Sequence, residues 1–301
     1  MTAARTGDRS GASERGDEDP YRWLEEVTGE RALAWVRQRN AEAVAELARS
    51  ARFEALRAEI LEVFESTDRI PYIHRRGEYW YNFWRDREHP RGLWRRTTLA
   101  EYRTERPRWE ILLDVDALAR DEDENWVFDG ARCLRPDYRR ALISLSRGGA
   151  DATVVREFDM ERREFVRDGF QLPEAKSIIR WIDADHVYVG TDFGPGTLTT
   201  SGYPRTVRQW RRGQPLAEAE LVYEGEPDDI SVSAYHDDTV GFERDFVRRN
   251  VDFYRTERYL HCGDELRRVE VPGDALVGVF RQWMLIELRS EWTVGRTYPA
   301  G

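Results

Sequence analysis

The sequence predicts a mainly β protein in which a short helical segment precedes a series of repeated strands. Three observations support this fold class. Between Thr28 and Ser66 apolar residues recur at helical spacing. After Pro71 they fall into short runs separated by Gly, Pro, Asp and Asn, and no further helix is expected. These runs repeat with a period of roughly 50 residues, four to a unit, which is typical of propeller blades. We therefore expect an incomplete β-propeller preceded by a helical arm.

The helical arm is expected to contain two amphipathic helices. The apolar residues that share one face of each helix are Leu33, Val36, Val44 and Leu47 in the first, and Phe53, Leu56, Ile60, Leu61 and Phe64 in the second. Thr28 is predicted to cap the first helix, because its hydroxyl can accept a free N–H of the first turn. Ser50 is predicted to mark the break between the two helices.

Four units of the strand repeat follow the arm, and a fifth begins. The predicted strands are residues 79–84, 92–97 and 109–113 in the first unit, 126–134, 141–145, 153–158 and 164–166 in the second, 177–182, 187–190, 206–210 and 220–223 in the third, and 230–234, 239–242, 252–259 and 266–271 in the fourth. The fifth unit has strands at residues 275–280 and 284–288 and then stops.

An unfinished ring of blades has a physical consequence. Each blade buries a face on the next, and a closed ring of about four to eight blades leaves no such face uncovered. A chain of about four and a half blades is therefore expected to be truncated and to expose an apolar face on its last blade. The candidate residues on that face are Val277, Val279, Ile286 and Leu288. We expect the isolated chain to aggregate or oligomerise.

Composition divides the chain into three segments and excludes some functions. Residues 1–18 form a polar tail predicted to be disordered, residues 19–67 the helical arm, and residues 68–301 the incomplete propeller. The tail lacks the apolar middle of a signal peptide, and no apolar run approaches about 20 residues, so we expect a cytoplasmic protein without a membrane span. The net charge of -10 argues against nucleic-acid binding. Two reduced thiols, Cys133 and Cys262, are the simplest interpretation of the cysteine content.

Two groups of motifs carry a resemblance to a known family. The first opens the arm with the sequence DPYRWLEE at residues 19–26, followed by Ala-Trp-Val at 34–36 and Gln-Arg-Asn at 38–40. It resembles the N-terminal signature of the prolyl oligopeptidase family of serine peptidases. The second group resembles a bacterial-type branch of that family and consists of residues 146–151, 170–177, 191–194 and 201–205.

The turn at residues 146–151 can also be interpreted from its residues alone. Gly148 and Gly149 supply backbone with positive φ, and Asp151 is predicted to hydrogen-bond the turn backbone. A structural role is therefore expected for this motif.

The resemblance implies a fold and an activity for a longer protein. In the family the helical arm packs on a C-terminal α/β-hydrolase domain of the same chain, and the propeller covers the active site of that domain. The catalytic domain supplies a Ser-His-Asp triad and cleaves short peptides after proline or a related residue. The propeller excludes large folded proteins, so the residues present here are implied to act as a filter.

The residues that perform this chemistry are missing from the sequence. A nucleophile elbow has the pattern G-x-S-x-G, which occurs nowhere in the 301 residues. Ser13 lies in the polar tail, and Ser146 and Ser201 lie among strands without an elbow. We therefore expect no catalytic residue in this chain.

Other polar constellations are expected to be structural. The runs Asp183–His186 and His236–Asp238 combine carboxylates with imidazole, yet Asp is an ordinary turn residue at strand ends. The run Gly194-Pro195-Gly196 is predicted to be a tight loop. Cys133 and Cys262 are predicted to be packed thiols. We expect no metal site and no cofactor.

Three functional hypotheses remain open from the sequence. The first is a fragment of a serine oligopeptidase that is inactive by itself. The second is a stand-alone propeller that binds a peptide or a protein without chemistry. The third is a hydrolase of the same architecture that acts on a non-peptide ester or amide.

Overall fold

A computed structural model describes residues 19–26, 28–263 and 265–301 of the chain. The chain divides into two compact units, Met1–Phe64 and Glu65–Gly301. The tail predicted to be disordered, residues 1–18, lies outside the described residues.

The first unit contains the predicted pair of helices. A single 3-10 turn at Arg22–Glu25 is followed by α1 (Glu30–Leu47) and α2 (Ala51–Glu65). Ser50 marks the break as predicted, because its hydroxyl oxygen accepts the N–H of Phe53 at 3.1 Å. The capping role predicted for Thr28 is wrong. Gly29 is the N-cap residue, no side chain caps α1, and Thr28 lies one position too early for its hydroxyl to do so.

Aromatic residues of the arm's opening motif pack on one another. The indole rings of Trp23 and Trp35 meet edge to face with centroids 6.2 Å apart. The guanidinium of Arg31 lies 4.2 Å from the centroid of the Trp23 ring, and the Trp23 N–H donates to the carbonyl of Pro20 at 3.0 Å. The motif therefore fixes the chain entering α1 through local aromatic and cation–π contacts.

The second unit consists of consecutive antiparallel sheets. Its strands are β1 (His74–Arg76), β2 (Tyr79–Trp84), β3 (Leu93–Thr98) and β4 (Glu110–Asp114) in the first sheet, β5 (Trp126–Cys133), β6 (Arg140–Arg147), β7 (Thr153–Asp159), β8 (Glu164–Phe165) and β9 (Gln171–Ala175) in the second, β10 (Ile178–Trp181), β11 (His186–Gly190), β12 (Thr206–Arg211) and β13 (Glu220–Glu224) in the third, and β14 (Ser231–Asp237), β15 (Arg244–Asn250), β16 (Thr256–Cys262) and β17 (Glu265–Arg268) in the fourth.

Two hairpins follow the fourth sheet. They are β18 (Leu276–Phe280) with β19 (Trp283–Glu287), and β20 (Trp292–Val294) with β21 (Arg296–Tyr298). Strands follow one another in sequence order within each of the four larger sheets, except that β9 pairs with β7. The mainly β fold predicted from the repeat, an incomplete propeller, is confirmed.

Several elements differ from the prediction. Residues 239–242 form a turn, closed by the N–H of Phe242 donating to the carbonyl of Thr239 at 2.8 Å, and the second strand of the fourth sheet is β15 instead. Strands β1 and β9 were not predicted. The expectation of no helix after Pro71 is wrong, because α3 (Leu99–Tyr102) and α4 (Val115–Asp121) follow β3 and β4. Asp114 caps α4 by accepting the N–H of Ala117 at 2.9 Å.

Apolar clusters join each sheet to the next. The first cluster combines residues of the first two sheets with α4, the second joins the second and third sheets, and the third joins the third and fourth. Strand β6 contributes to two clusters, with Ile143 and Leu145 in the first and Leu142 in the second. On β11, Val187 belongs to the second cluster and Tyr188 to the third. Successive side chains thus bury both faces of a sheet, which is how blades stack.

A buried carboxylate adds a polar link between the second and third sheets. Glu157 on β7 is fully buried and accepts hydrogen bonds from Arg140 at 3.1 Å and from Arg212 at 2.8 Å. It also accepts the backbone N–H of Phe170 at 2.9 Å. Because Arg212 follows β12 of the third sheet, this charge ties the two sheets together.

We expect Glu157→Gln to lower the free energy of unfolding by about 3 kcal/mol, because it leaves two guanidinium groups beside an uncharged amide in the sheet interface. Urea denaturation at neutral pH measures the change. Glu161→Gln is the matched control, since Glu161 and its partner Arg139 are both well exposed and should contribute little. Equal stabilities for the two variants would contradict the proposed link.

The apolar face exposed by the β18–β19 hairpin is not the one expected. Val277, Val279, Ile286 and Leu288, which were predicted to be exposed, are half-buried. Large apolar side chains on the opposite face carry the exposure: Leu276 at 46%, Phe280 at 60%, Trp283 at 61% and Leu285 at 62%. The prediction chose the wrong face, and neighbouring positions along a strand point to opposite faces.

We expect Phe280→Ser combined with Trp283→Ser to reduce self-association of the chain, because it removes the aromatic part of this exposed face. Size-exclusion chromatography with light scattering over a range of concentrations gives the mass. Leu221→Ser is the control, because Leu221 is also exposed, at 51%, but lies on β13. If the double variant associates as strongly as the unaltered chain, another surface drives association.

Candidate functional site

The second unit contains an open cavity of about 420 Å³. The first strands of the second, third and fourth sheets line it, together with the end of β1. Its described lining consists of Arg76, Ala131, Arg132, Cys133, Leu134, Arg135, Tyr138, Arg180, Trp181, Ile182, Tyr235, His236 and Asp238. Cavities of this size hold small ligands or a short stretch of extended chain. It is the candidate site because charged and aromatic side chains from several sheets converge on it.

Three arginines of the lining occupy similar places in consecutive sheets. Arg76 is the last residue of β1, Arg132 the penultimate residue of β5, and Arg180 the penultimate residue of β10. Each lies near the end of the first strand of its sheet, so the repeat itself brings the three guanidinium groups to one cavity. The sequence carries the signal as an arginine near the end of the first strand of three consecutive sheets.

Acidic side chains do not neutralise these arginines. The acidic residue of the described lining, Asp238, forms an ion pair with Arg135 at 3.1 Å. Within residues 19–26, 28–263 and 265–301, no ion pair includes Arg76, Arg132 or Arg180. Arg180 donates to the carbonyl of Ile179 at 3.0 Å. The charge of Asp129 acts on Arg132 without forming an ion pair, so the site keeps an excess of positive charge.

The pKa values reflect this environment. Burial, together with the positive charges of Arg132 and Arg248, lowers the pKa of Arg180 to about 10. Burial also lowers the pKa of Arg132, with the charge of Asp129 acting in the opposite direction. Both groups remain cationic at neutral pH, and both are less well solvated than a surface arginine. A bound anion would offset the free-energy cost of keeping these charged groups poorly solvated.

Further positive charge lies on the fourth sheet. Arg248 on β15 and Arg258 on β16 are directly opposite each other in the strand register. Burial lowers the pKa of Arg258, and the neighbouring charge of Arg248 does so as well. One terminal nitrogen of Arg258 is buried and has no hydrogen-bond partner among the described atoms.

Cys133 lies in the wall of the cavity beside Arg76. Burial raises the pKa of its thiol to about 11, although the charge of Arg76 acts in the opposite direction. Cys133 also packs against the first apolar cluster, and both cysteines are free thiols. The prediction that Cys133 is a packed thiol is confirmed.

We expect the Cys133 thiol to react with iodoacetamide about a hundredfold more slowly than an unhindered thiol at about pH 8, because little of it is thiolate. A time course followed by peptide mass mapping reports each cysteine separately. Alkylation in concentrated guanidinium chloride should abolish the difference. Fast labelling of Cys133 in the folded chain would contradict the raised pKa.

The serines considered in the sequence are not brought to the cavity. Ser146 is buried on β6 and Ser201 is exposed in a turn before β12. Ser13 lies outside the described residues. The imidazole of His236, which does line the cavity, pairs with Asp245, with 3.0 Å between Nδ1 and the carboxylate oxygen. That imidazole is therefore held by a carboxylate and not by a serine.

Asp183 and Asp185 lie in a turn before β11, as predicted, whereas His236 and Asp237 are the last two residues of β14 and only Asp238 of that run lies beyond the strand. Asp183 accepts the backbone N–H groups of Asp185 at 2.7 Å and His186 at 2.8 Å. Asp237 accepts the N–H of Thr239 at 3.2 Å. The loop predicted at Gly194-Pro195-Gly196 is tight, because the N–H of Thr197 donates to the carbonyl of Gly194.

The glycine turn between β6 and β7 is confirmed in part. Gly148 and Gly149 have φ values of 63° and 86°, which favour glycine. Asp151 does not hold the turn backbone as expected. Its carboxylate instead lies 3.5 Å from the ammonium group of Lys176, the residue that follows β9. An ion pair with this lysine replaces the expected contact with the turn backbone.

Neither a metal cluster nor a membrane-spanning helix is found in the described residues. No three or more His, Cys, Asp and Glu side chains are grouped so as to hold a metal ion there. The helices within these ranges are too short or too polar to cross a membrane.

The stacked sheets and the shared cavity define this chain as part of a β-propeller domain. Residues 7–240 match the sequence model of a family described as prolyl oligopeptidase, N-terminal β-propeller domain. The chain belongs to the prolyl oligopeptidase family and carries this N-terminal portion.

Relatives of known sequence support this assignment. The chain is 38% identical over 284 residues to an uncharacterized peptidase of Sinorhizobium fredii, a match that covers 91% of this chain and 39% of the relative. It is 31% identical over 286 residues to an uncharacterized peptidase of Rickettsia prowazekii, which covers 90% of this chain and 40% of that one. The chain thus spans about two fifths of the length of these relatives.

Solved structures agree on the fold. A post-proline cleaving enzyme from Rickettsia typhi superposes with a TM-score of 0.83 at 32% identity, covering 90% of this chain and 41% of the enzyme. A structure from a study of two prolyl endopeptidases superposes with a TM-score of 0.70 at 19% identity, covering 89% of this chain and 39% of that one, and supports the fold alone.

Proposed function

We propose that this chain is the substrate-admitting part of a serine endopeptidase of the prolyl oligopeptidase type, which hydrolyses short peptides. The cavity between the first strands supports this function, because it can take an extended peptide and is too small for a folded domain. The catalytic serine, aspartate and histidine would come from an α/β-hydrolase domain outside these 301 residues.

The helical arm has a separate role in this proposal. Apolar side chains on α1 and α2 remain exposed in this chain, among them Leu47 at 69% and Phe64 at 66%. Exposed apolar stripes on a helix pair are suited to docking on another domain. We assign the arm, residues 19–67, to docking on the hydrolase domain, while the propeller controls access.

In this proposal the hydrolase domain and the propeller contribute differently to the rate of peptide hydrolysis. The triad and oxyanion hole of the hydrolase domain would lower the barrier of acyl transfer. The propeller would contribute to binding and orientation of the peptide, and to exclusion of larger substrates. Removing the propeller residues would therefore change substrate choice more than the chemical step.

The test compares this chain with the full-length protein encoded by its gene. Substrates are a chromogenic anilide with proline at the cleaved bond, a short quenched peptide with an internal proline, and a folded protein with proline in an exposed loop. We expect the full-length protein to cleave the first two and to spare the third. This chain alone should cleave none of them, because it lacks the triad.

A chromogenic ester without a peptide bond serves as the control substrate. If the full-length protein hydrolyses the ester but neither of the peptide substrates, it is a hydrolase of non-peptide esters and the proposed peptidase activity is wrong. Peptide binding by a full-length protein that has no hydrolase domain would favour an interaction module instead. Rapid cleavage of the folded protein would contradict the filtering role.

A further inference from the structure

We propose that Arg132 and Arg180, with Arg76 beside them, form a subsite that binds the carboxylate of a peptide lying in the cavity. The inference deepens the proposed function, on which it rests, by naming the chemical group that the propeller recognises. These arginines concentrate positive charge without ion-pair partners inside a chain whose overall charge is -10.

Many arginines elsewhere in the sheets have acidic partners, although Arg95, Arg208 and Arg258 form no ion pair among the described residues. Examples with N–O distances of 2.6 to 3.1 Å are Arg96 with Glu110, Arg140 with Glu157, Arg156 with Glu122, and Arg249 with Asp229. The cavity arginines differ from these, since the described ion pairs include none of the three. In a chain with 57 acidic and 47 basic residues, carboxylates are abundant, yet they are not placed here. A ligand that supplies the carboxylate would complete the pattern.

The geometry leaves donors available to such a ligand. Arg180 uses one terminal nitrogen on the carbonyl of Ile179. No hydrogen bond from the Arg132 side chain occurs in the part of the chain that the structure describes. A guanidinium presents its N–H groups as a planar fork that matches a carboxylate in a bidentate arrangement. Two such forks on adjacent sheets can hold one carboxylate between them.

A hydrogen bond joins the two strands that carry these arginines. The indole N–H of Trp181 on β10 donates to the carbonyl of Arg132 on β5 at 2.7 Å. This bond joins the second and third sheets at the cavity. It therefore restrains the backbone that carries both guanidinium groups. A preorganised pair loses less entropy on binding than two free side chains.

Three sources could supply the anion. They are the terminal carboxylate of a peptide, an acidic side chain within a peptide, and an inorganic anion such as sulfate. We assign the site to the terminal carboxylate, because the cavity is open to solvent and also has apolar and aromatic walls from Ile182, Trp181 and Tyr235 that suit the adjoining residues.

The test measures binding of fluorescein-labelled peptides to the 301-residue chain by fluorescence anisotropy. One peptide is short, contains proline and ends in a free carboxylate. The second has the same sequence with an amidated end, and the third is amidated but contains one glutamate. We expect the free acid to bind about tenfold more tightly than the plain amide, as a charge-assisted contact requires.

Variants assign this preference to the arginines. Arg132→Gln and Arg180→Gln, singly and together, should reduce the preference for the free acid, and the double variant should bind acid and amide equally. Arg106→Gln is the matched control, because Arg106 is exposed and lies outside the cavity. It makes the same charge change and should leave the preference intact. Thermal unfolding of each variant, with and without the free acid, verifies that the site variants fold and reports binding independently.

The outcomes separate this inference from the proposed function. Equal binding of acid and amide to the unaltered chain would overturn the carboxylate subsite, while peptide binding itself would still support the gate. Tight binding of the glutamate peptide would show that the site recognises a side-chain carboxylate, and it would overturn the assignment to the terminal carboxylate. Full competition by sulfate at the concentration at which the free acid binds would identify a general anion site and overturn it too. The peptide-cleavage assay of the full-length protein decides the proposed function separately.

Discussion

Burial of both faces of the second and third sheets is the constraint on which this structure depends. Apolar side chains alternate along the middle strands, so that Ile143 and Leu145 enter one cluster while Leu142 enters the next. One strand thereby holds two interfaces, and the sheets must stack in series. The positions of the cavity residues follow from this stacking, because it brings the ends of successive first strands together.

Strands that alternate or are continuously apolar were predictable, and charged or very short ones were not. β11 could be predicted because it is a run of apolar residues. β1 has three residues, all of them basic, and β15 has the sequence RDFVRRN, in which the two buried residues, Phe246 and Val247, are adjacent and surrounded by charge. Residues 239–242 contain β-favouring side chains, but Asp237 and Thr239 close a turn there. Local turn chemistry prevailed over strand propensity.

The candidate site was less predictable than the fold for a different reason. A single arginine in a strand resembles any solvated charge, so Arg76, Arg132 and Arg180 carry no signal one at a time. Their significance arises from their equivalent placement in three successive repeats, which no single motif contains. The prediction of the exposed face of the last hairpin was wrong for a more local reason, because a shift of one residue along a strand exchanges its two faces. Patterns of polarity therefore locate sheets better than they locate sites.

The charge on the arginines near the cavity also links them to the composition of the medium. The positive charges of Arg132 and Arg248 both act on Arg180, and like charges oppose a closer approach of the side chains that carry them. Dissolved salt screens charges over about 8 Å at physiological ionic strength, so this repulsion weakens as ionic strength rises. The guanidinium groups themselves stay charged across the physiological pH range. The repulsion among these arginines therefore depends on ionic strength and is insensitive to mild acidification.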